Sequence, residues 1–196
     1  MRLVARMRRR LGAQGGYTLV EMLTVLLILG VVMGGLTTVL ASATNADADM
    51  NNRFQAQQAT RLAMDKLRRE IHCSSSATPV ATATSSITLT LPSYCKTYSG
   101  SVSVTWCTRS VSTNRYALYR VNGSTCTGGV KWADFLTPTS TATVCSGALC
   151  VFNYAAQSAT SLAKLHVDFP VNPKPTRTVD TYELVDDLVL RNSTRS

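Results

Sequence analysis

The sequence predicts an α+β protein in which one long N-terminal helix packs against an antiparallel β-sheet. No proline interrupts the chain from Tyr17 to Ile71, whereas Pro79 and a series of short alternating apolar segments follow. These β-like segments come after the helix rather than between helices, which favours an antiparallel sheet over a parallel one. Once the N-terminal segments are set aside, roughly 150 residues remain, which is the size of a single globular head.

The first element is a strongly basic segment, residues 1–16. It contains five of the twenty basic residues of the chain: Arg2, Arg6, Arg8, Arg9 and Arg10. Residues 17–46 then carry a single charged side chain, Glu21. Because ~20 apolar residues suffice to cross a bilayer, this second segment predicts a transmembrane helix.

Glu21 is the unusual residue of that helix. An ionised carboxylate at membrane depth costs ~2.5–3.5 kcal/mol on insertion scales, so such a residue generally has a partner. Cleavage after Gly16 would convert the nitrogen of Tyr17 into an ammonium group four residues before Glu21. That spacing is one helical turn, so the two charges could pair within one chain or between neighbouring chains.

The residues at this junction resemble the class III signal of type IV pilins and type II secretion pseudopilins. After the basic leader they read Gly16, Tyr17, Thr18, Leu19, Val20 and Glu21. In that family a basic leader ends in glycine, an aromatic residue follows, and threonine, leucine, an aliphatic residue and glutamate come next. Phenylalanine is the usual aromatic residue, so Tyr17 departs slightly from the pattern.

The resemblance implies specific roles for three of these residues. Gly16 would be the cleavage site of a prepilin peptidase, and Tyr17 the new terminus that the same enzyme N-methylates. Glu21 would neutralise the terminal ammonium of an adjacent subunit during filament assembly. The implied fold is pilin-like, with a long helix whose first half is membrane or filament core and whose second half supports the head.

Two other interpretations of the N-terminus remain open. The segment could be a secretory signal peptide cleaved after Ala41, Ser42 and Ala43, in which case the mature protein begins at Thr44. It could also be an uncleaved single-span anchor. Neither gives Glu21 a role, and an apolar signal region is typically ~7–15 residues long, shorter than the uncharged segment here. A secreted or anchored enzyme would suit these alternatives better than a filament subunit.

Charge predicts the orientation of the span. The leader arginines favour a cytoplasmic N-terminus, which places everything after Leu40 outside the cytoplasm. In a bacterium this means a single-pass protein of the inner membrane whose head, residues 47–196, is extracytoplasmic. Membrane lipid is therefore an expected partner.

All the cysteines lie beyond the span, in a compartment where disulfides persist. They are Cys73, Cys95, Cys107, Cys126, Cys145 and Cys150. Six cysteines allow fifteen pairings. The sequence favours Cys145 with Cys150 as a short local loop, and next Cys107 with Cys126. Metal ligation is disfavoured, because no pair has the two-residue spacing common in zinc sites and His72 stands alone beside Cys73.

The composition gives little support to catalysis or to nucleic-acid binding. The formal net charge is +9, but removal of the leader leaves 15 basic and 11 acidic residues, or +4. The remaining basic residues are scattered, so nucleic acid is a possible partner that the pattern does not support. The sequence contains no phosphate-binding glycine loop, zinc-helix histidine pair or nucleophile elbow, and no cofactor is expected. Four acidic residues, Asp180, Glu183, Asp186 and Asp187, could hold calcium, although a solvated acidic edge is favoured.

The helix should continue past the membrane as an amphipathic segment, residues 47–73. Apolar or small residues recur with helical spacing at Met50, Phe54, Ala59, Ala63, Leu67 and Ile71, which predicts the buried stripe. The helix should end near Ser74. Within the span, Gly30 and Gly34 have the small-residue spacing that lets two helices approach closely, although glycine is also ordinary in membrane helices.

The β-rich part is predicted over residues 86–192. Alternating segments predict strands at 87–91, 102–106 and 165–169, and further strands are expected at 115–121, 151–154 and 187–191. Pro170, Pro173 and Pro175 predict a rigid loop or an edge segment. His166 is expected at the surface.

Short stretches of the head look like the larger minor pilins related to the J-type minor pseudopilin: Leu118 to Arg120, Leu165 to Phe169 and Leu188 to Asn192. The sequence thus predicts a structural minor pilin or pseudopilin that assembles with other pilin subunits. The alternative is a binding module, such as the head of a DNA-uptake or adhesion pilin.

Overall fold

The computed structural model describes residues 16–98 and 100–192 and shows the predicted α+β architecture. One long helix is followed by an antiparallel β-sheet head. The chain divides into two compact units, Met1–Asp49 and Met50–Ser196. The leader predicted at residues 1–16 lies outside the described residues, apart from Gly16.

The helix α1 spans Leu19–Cys73. It begins two residues after the start of the predicted segment 17–46, and it ends directly before Ser74, where the sequence predicts the end. At its end, the Ser74 N–H donates to the Glu70 carbonyl at 2.8 Å and the Ser74 hydroxyl donates to the Ile71 carbonyl at 2.9 Å. These bonds satisfy carbonyls that the last helical turn leaves without partners, which explains why the helix stops here.

The buried stripe of α1 differs from the predicted stripe at its start. Ala63, Leu67 and Ile71 are fully buried as predicted, but Met50 and Phe54 are 68% and 63% exposed. The prediction is wrong there because Ala56 begins the buried face, and a residue two positions earlier lies about 200° away around the helix. The buried set is Ala56, Thr60, Ala63, Met64, Leu67, Glu70 and Ile71.

Among the described residues, nine strands form one antiparallel sheet and two more form a separate hairpin. The strands are β1 (Ser76–Thr78), β2 (Ala81–Thr84), β3 (Ser86–Thr90), β4 (Ser103–Ser112), β5 (Arg115–Asn122), β6 (Val130–Leu136), β7 (Val144–Cys145), β8 (Ala148–Leu149), β9 (Phe152–Ala155), β10 (Lys164–Val171) and β11 (Tyr182–Val189). The sheet runs in the order β1-β3-β4-β5-β6-β10-β9-β2, with β11 also paired to β10. The hairpin consists of β7 and β8.

The strand predictions are confirmed for β3, β4, β5, β9 and β10, although β4 continues six residues beyond the predicted end and the other ends shift by one or two residues. The structure also contains strands that the sequence did not predict: β1, β2, β6, β7 and β8. Consequently, β-structure begins at Ser76 rather than at residue 86. The last strand was predicted at 187–191 but runs from Tyr182 to Val189.

The proline segment also needs correction. Pro170 lies inside β10 and pairs with Glu183 of β11, whereas only Pro173 and Pro175 lie in a loop. On its other side β10 pairs with β9 at residues 164–167 and with β6 at Val171. Pro170 falls between these two sets of pairs, where a missing N–H does not interrupt the ladder.

The core of the head lies between α1 and one face of the sheet. Its largest fully buried side chains include Trp106, Phe152 and Phe169. The rings of Phe152 and Phe169 meet edge to face with centroids 6.0 Å apart. This is a favoured geometry for aromatic pairs and adds to their apolar burial.

Glu70 is a charged residue within this core, and nothing in its sequence pattern predicted it. Its side chain is fully buried. The Trp106 indole donates to Oε2 at 2.7 Å and the Arg120 Nε donates to Oε1 at 2.8 Å. The Lys66 ammonium lies 3.6 Å from Oε1. Glu70 therefore joins α1 to both β4 and β5.

Basic residues of α1 also bind the C-terminal part of the head. Arg53 contacts Asp180 at 2.7 Å, and Arg68 contacts Asp186 at 2.7 Å. Between them Arg61 donates to the Tyr182 hydroxyl at 3.2 Å. These contacts attach β11 and the single 3₁₀ turn before it, Thr178–Asp180, to the helix.

All six cysteines are paired. The disulfides join Cys73 to Cys95, Cys107 to Cys126, and Cys145 to Cys150. The last two are the pairings that the sequence favoured. The first one fastens the end of α1 to the loop after β3.

Candidate processing and assembly site

Residues 16–18, directly before α1, are accessible. Gly16, Tyr17 and Thr18 have no helical structure and are exposed. Tyr17 is 76% exposed, and a Cβ placed on Gly16 would meet no other atom within 4 Å. A protease must bind its substrate as an open chain, and this junction has that form.

Thr18 is the residue that starts the helix. The Glu21 N–H donates to the Thr18 hydroxyl at 3.2 Å, and the Met22 N–H donates to the Thr18 carbonyl at 3.2 Å. This is the threonine half of a capping box, whose sequence form is Thr-x-x-Glu. The sequence analysis missed this role, although the spacing of Thr18 and Glu21 was available to reveal it.

Glu21 consequently lies in the first turn of α1. A carboxylate there interacts favourably with the positive end of the helix dipole. Within the part of the chain that the structure describes, no side chain forms an ion pair with Glu21. Tyr17 stands four residues earlier, as the pairing prediction requires, and the pairing itself stays a prediction.

The first half of α1 presents apolar side chains on all its faces. From Leu19 to Leu40, each large apolar residue is at least 47% exposed, and no residue of the apolar window is buried. The helix is long and apolar enough to cross a membrane, by length and composition. Gly30 and Gly34 face open space, so their role in helix packing also remains a prediction.

One comparison with known proteins bears directly on this site. Residues 11–37 match the family model described as the prokaryotic N-terminal methylation motif. The match includes Gly16, Tyr17 and Glu21 and supports the type IV pilin and pseudopilin family. It therefore points to a structural subunit that a prepilin peptidase processes and that assembles with other pilin subunits. No curated protein and no solved structure matches the chain significantly.

The acidic residues near the C-terminus bind basic side chains. Hydrogen bonding to Arg53 lowers the pKa of Asp180. Hydrogen bonds from His166 and Lys164 lower the pKa of Asp187. The described residues contain no group of three or more histidine, cysteine or acidic side chains placed to hold a metal ion.

A basic cleft lies where the end of α1 meets the loop after β3. Its lining includes Arg69, His72, Tyr94, Lys96 and Thr97, and its volume is about 360 Å³. Tyr94 is 70% exposed. Among the described residues, no acidic side chain lines the cleft or forms an ion pair with its arginine or lysine. The sequence analysis missed this cleft because its residues are separated by more than twenty positions.

Proposed function

We propose that this protein is a minor pilin or pseudopilin subunit. It is cleaved after Gly16, anchored in the bacterial inner membrane by the first half of α1, and then recruited into a filament with its head outside the cytoplasm. The observation that carries the proposal is the methylation motif at residues 11–37, which extends into an apolar helix whose 18-residue apolar window has no buried residue.

The exposed apolar helix is consistent with both proposed states of the protein, the membrane-anchored precursor and the filament subunit. Contiguous apolar surface of this extent on an isolated chain marks a site of membrane or protein contact. Lipid covers it in the anchored precursor, and the helices of neighbouring subunits cover it in the filament. Gly30 and Gly34 would let two such helices approach closely.

Glu21 would act in assembly through the charge that cleavage creates. Before cleavage the Tyr17 nitrogen belongs to a peptide bond and carries no charge. Afterwards its ammonium can pair with Glu21 of an adjacent subunit. A charged pair buried in an apolar filament core is satisfied only when both groups meet, so the pair would specify the stagger between subunits.

N-terminal sequencing of the mature protein tests the cleavage. The expected first residue is Tyr17, and Gly16→Leu should block processing and leave the precursor mass unchanged. A matched control is Gly15→Leu, which alters the neighbouring glycine and leaves the cleavage residue intact. A mature terminus at Thr44 would favour a secretory signal peptide and refute the proposal.

Substitution of Glu21 tests the assembly step separately. Glu21→Ala should be cleaved at nearly the normal level but enter filaments poorly. Glu21→Asp, which keeps the charge on a shorter side chain, should be less impaired. Normal incorporation of Glu21→Ala would show that the pairing role is wrong.

The position within the filament is a finer part of the proposal. A head of roughly 150 residues with three disulfides suits a priming or tip component of the J type better than a bulk subunit. Quantitative mass spectrometry of purified filaments measures this directly. We expect far fewer copies of this protein than of the major subunit, and equal copies would make it a major pilin.

The basic cleft favours a second candidate function, a head that binds nucleic acid. Arg69 and Lys96 could contact phosphates while a base stacks on Tyr94, as in proteins that bind single strands. Titration of the full chain in detergent with a labelled oligonucleotide would test it. Binding should weaken with salt and with Tyr94→Ala, whereas Tyr119→Ala on β5 serves as the aromatic control.

A further inference from the structure

A small cavity lies beside β10, on the face of that strand opposite the core. Leu165, Val167 and Phe169 are fully buried, and the residues between them point to the other face, because successive side chains of a strand alternate. His166 and Asp168 are two of these alternate residues, and both line the cavity. Its volume is about 210 Å³. We refer to it as the Asp168 cavity.

Asp168 is a buried residue with an acidic side chain and no cationic partner. It is only 6% exposed. The Thr141 hydroxyl donates to Oδ2 at 2.6 Å, whereas no group of the described residues forms a hydrogen bond with Oδ1. Within the same part of the chain, no basic side chain forms an ion pair with Asp168. A buried charge is costly unless it is both paired and hydrogen-bonded, and a cationic ligand with N–H donors would meet both requirements.

Two further hydrogen-bond acceptors line the Asp168 cavity. His166 of β10 and Asn153 of β9 lie directly opposite each other in the ladder, where Cβ atoms are ~4.5–5.5 Å apart. His166 Nδ1 lies 2.8 Å from Asp187 Oδ1. Because an ionised carboxylate can only accept, Nδ1 carries the proton and Nε2 of the neutral ring is an acceptor. The Asn153 amide oxygen is the other acceptor.

The remaining walls of the cavity are uncharged. Ala83 of β2 and Val151, the residue before β9, add apolar surface. Lys164 lies on the same face of β10, but it is not part of the lining and its ammonium is 3.0 Å from Asp187 Oδ2. The cavity thus combines one carboxylate and two neutral acceptors with apolar walls.

We propose that the Asp168 cavity binds a primary alkylammonium group. Its three N–H donors would meet the Asp168 carboxylate, His166 Nε2 and the Asn153 amide oxygen, while its methylene groups contact the apolar walls. Oδ1 is shielded from solvent, but the last torsion of an aspartate is broad, so rotation about it can present either oxygen. The volume is below the ~300–1,000 Å³ of typical ligand sites, which suits a short amine or one lysine side chain.

Nuclear magnetic resonance of the histidine nitrogens tests the proposal. The chain contains two histidines, His72 and His166, and only His166 lines the cavity. Selective isotope labelling of histidine in the full chain in detergent therefore gives one reporter at the cavity and one reference elsewhere. The probes are butylammonium chloride and butyltrimethylammonium chloride, which have the same charge, although the second has no N–H donor.

Butylammonium should shift the Nε2 signal of His166 in a saturable way and leave His72 unchanged. Butyltrimethylammonium should bind far more weakly. Asp168→Asn should weaken butylammonium binding by roughly 10- to 150-fold, the range that corresponds to one hydrogen bond to a charged group. The matched control Asp65→Asn makes the same charge change on α1, away from the cavity, and should leave the affinity unaltered.

A further probe identifies the source of the ammonium group. Acetyl-lysine methylamide presents the lysine side chain as a protein does. If it binds as tightly as butylammonium, the natural ligand is a lysine side chain of another protein. If it fails to bind while butylammonium binds, the natural ligand is a free amine. Both results support an ammonium site.

Three outcomes would overturn the proposal. If butylammonium leaves His166 unchanged or shifts both histidines alike, the cavity binds no ammonium and Asp168 is a protonated carboxyl group of the interior. Equal affinities for the two probes would show that the N–H donors are not recognised. An unchanged affinity in folded Asp168→Asn would exclude the carboxylate as the binding group. The comparison of probes uses the unaltered protein, so it remains decisive even if Asp168→Asn folds poorly.

Discussion

Removing the carboxylate of Glu70 should destabilise the head more than any other single truncation of a polar side chain in α1. Glu70 is fully buried and accepts two hydrogen bonds of normal length, from Trp106 and Arg120. In Glu70→Ala the fully buried Trp106 N–H loses its acceptor, and Arg120, whose side chain is 11% exposed, loses a buried counter-ion.

The magnitude can be worked from these two losses. Breaking a buried ion pair by removing one partner costs about 3–5 kcal/mol, and an unsatisfied buried donor costs about 1–3 kcal/mol. Arg120 also donates to the Asn122 side chain at 2.8 Å. This remaining hydrogen bond reduces the energetic cost to Arg120 of losing Glu70. We therefore expect a decrease of about 4 kcal/mol in the free energy of unfolding.

Urea unfolding of the full chain in detergent, followed by tryptophan fluorescence, measures this change. Asp65→Asn is the matched control, because Asp65 lies on the exposed side of the same helix and pairs with Arg68 there. It should cost less than about 1 kcal/mol. A loss below about 1 kcal/mol in Glu70→Ala would refute the reasoning.

A combined variant tests whether the loss of stability in Glu70→Ala comes from buried polar groups that are left without partners. Replacing the buried pair and its neutral donor together, as Glu70→Met, Arg120→Met and Trp106→Phe, removes the carboxylate, the guanidinium and the indole N–H at once, so none of these three groups is left buried without its partner. This variant should recover much of the stability lost in Glu70→Ala, since apolar groups of similar size can substitute for a buried ion pair. If the combined variant instead loses as much free energy of unfolding as the three single variants together, the three side chains do not act as a unit.

Three further predictions concern other parts of the chain. Burial by itself raises the pKa of Asp134, but hydrogen bonds from Arg115, Lys131 and the Phe135 N–H outweigh it and hold the pKa at about 2. Because the folded value lies below the unfolded one, the resulting ~2 kcal/mol is present above pH ~4 and lost as the pH falls towards 2. Asp134→Asn should flatten this part of a stability–pH curve. Replacing both Cys73 and Cys95 with serine should cost about 3 kcal/mol by the loop-entropy estimate, measured by the same urea unfolding. Thr18→Ala should weaken the helix start by about 1 kcal/mol, seen as faster amide exchange in the first turn than in the unsubstituted chain.

The local features of this protein could be predicted from the sequence. The motif from Gly16 to Glu21 consists of consecutive residues, and the strand at 165–169 shows its alternation within five positions. Features of this kind require no knowledge of the rest of the fold. The same holds for the absence of proline that predicts α1.

The missed features depend on contacts between distant residues. Glu70 meets Trp106 and Arg120 across 36 and 50 positions, so its helix pattern alone suggests a solvent-facing charge. β6 escaped prediction because its ladder with β5 shifts register twice and Phe135 has a φ of 62°. These irregularities break the alternation on which a strand prediction depends.

The attachment of β11 to α1 has a consequence for the order in which the head forms. Arg53 and Arg68 contact Asp180 and Asp186 across 127 and 118 positions, so α1 can make these contacts only after residues 180 and 186 have been synthesised. Contacts of such separation close late in folding. The head should thus complete its fold only after β11 has been synthesised, and a deletion that removes β11 would leave β10 and the arginines of α1 exposed to proteolysis.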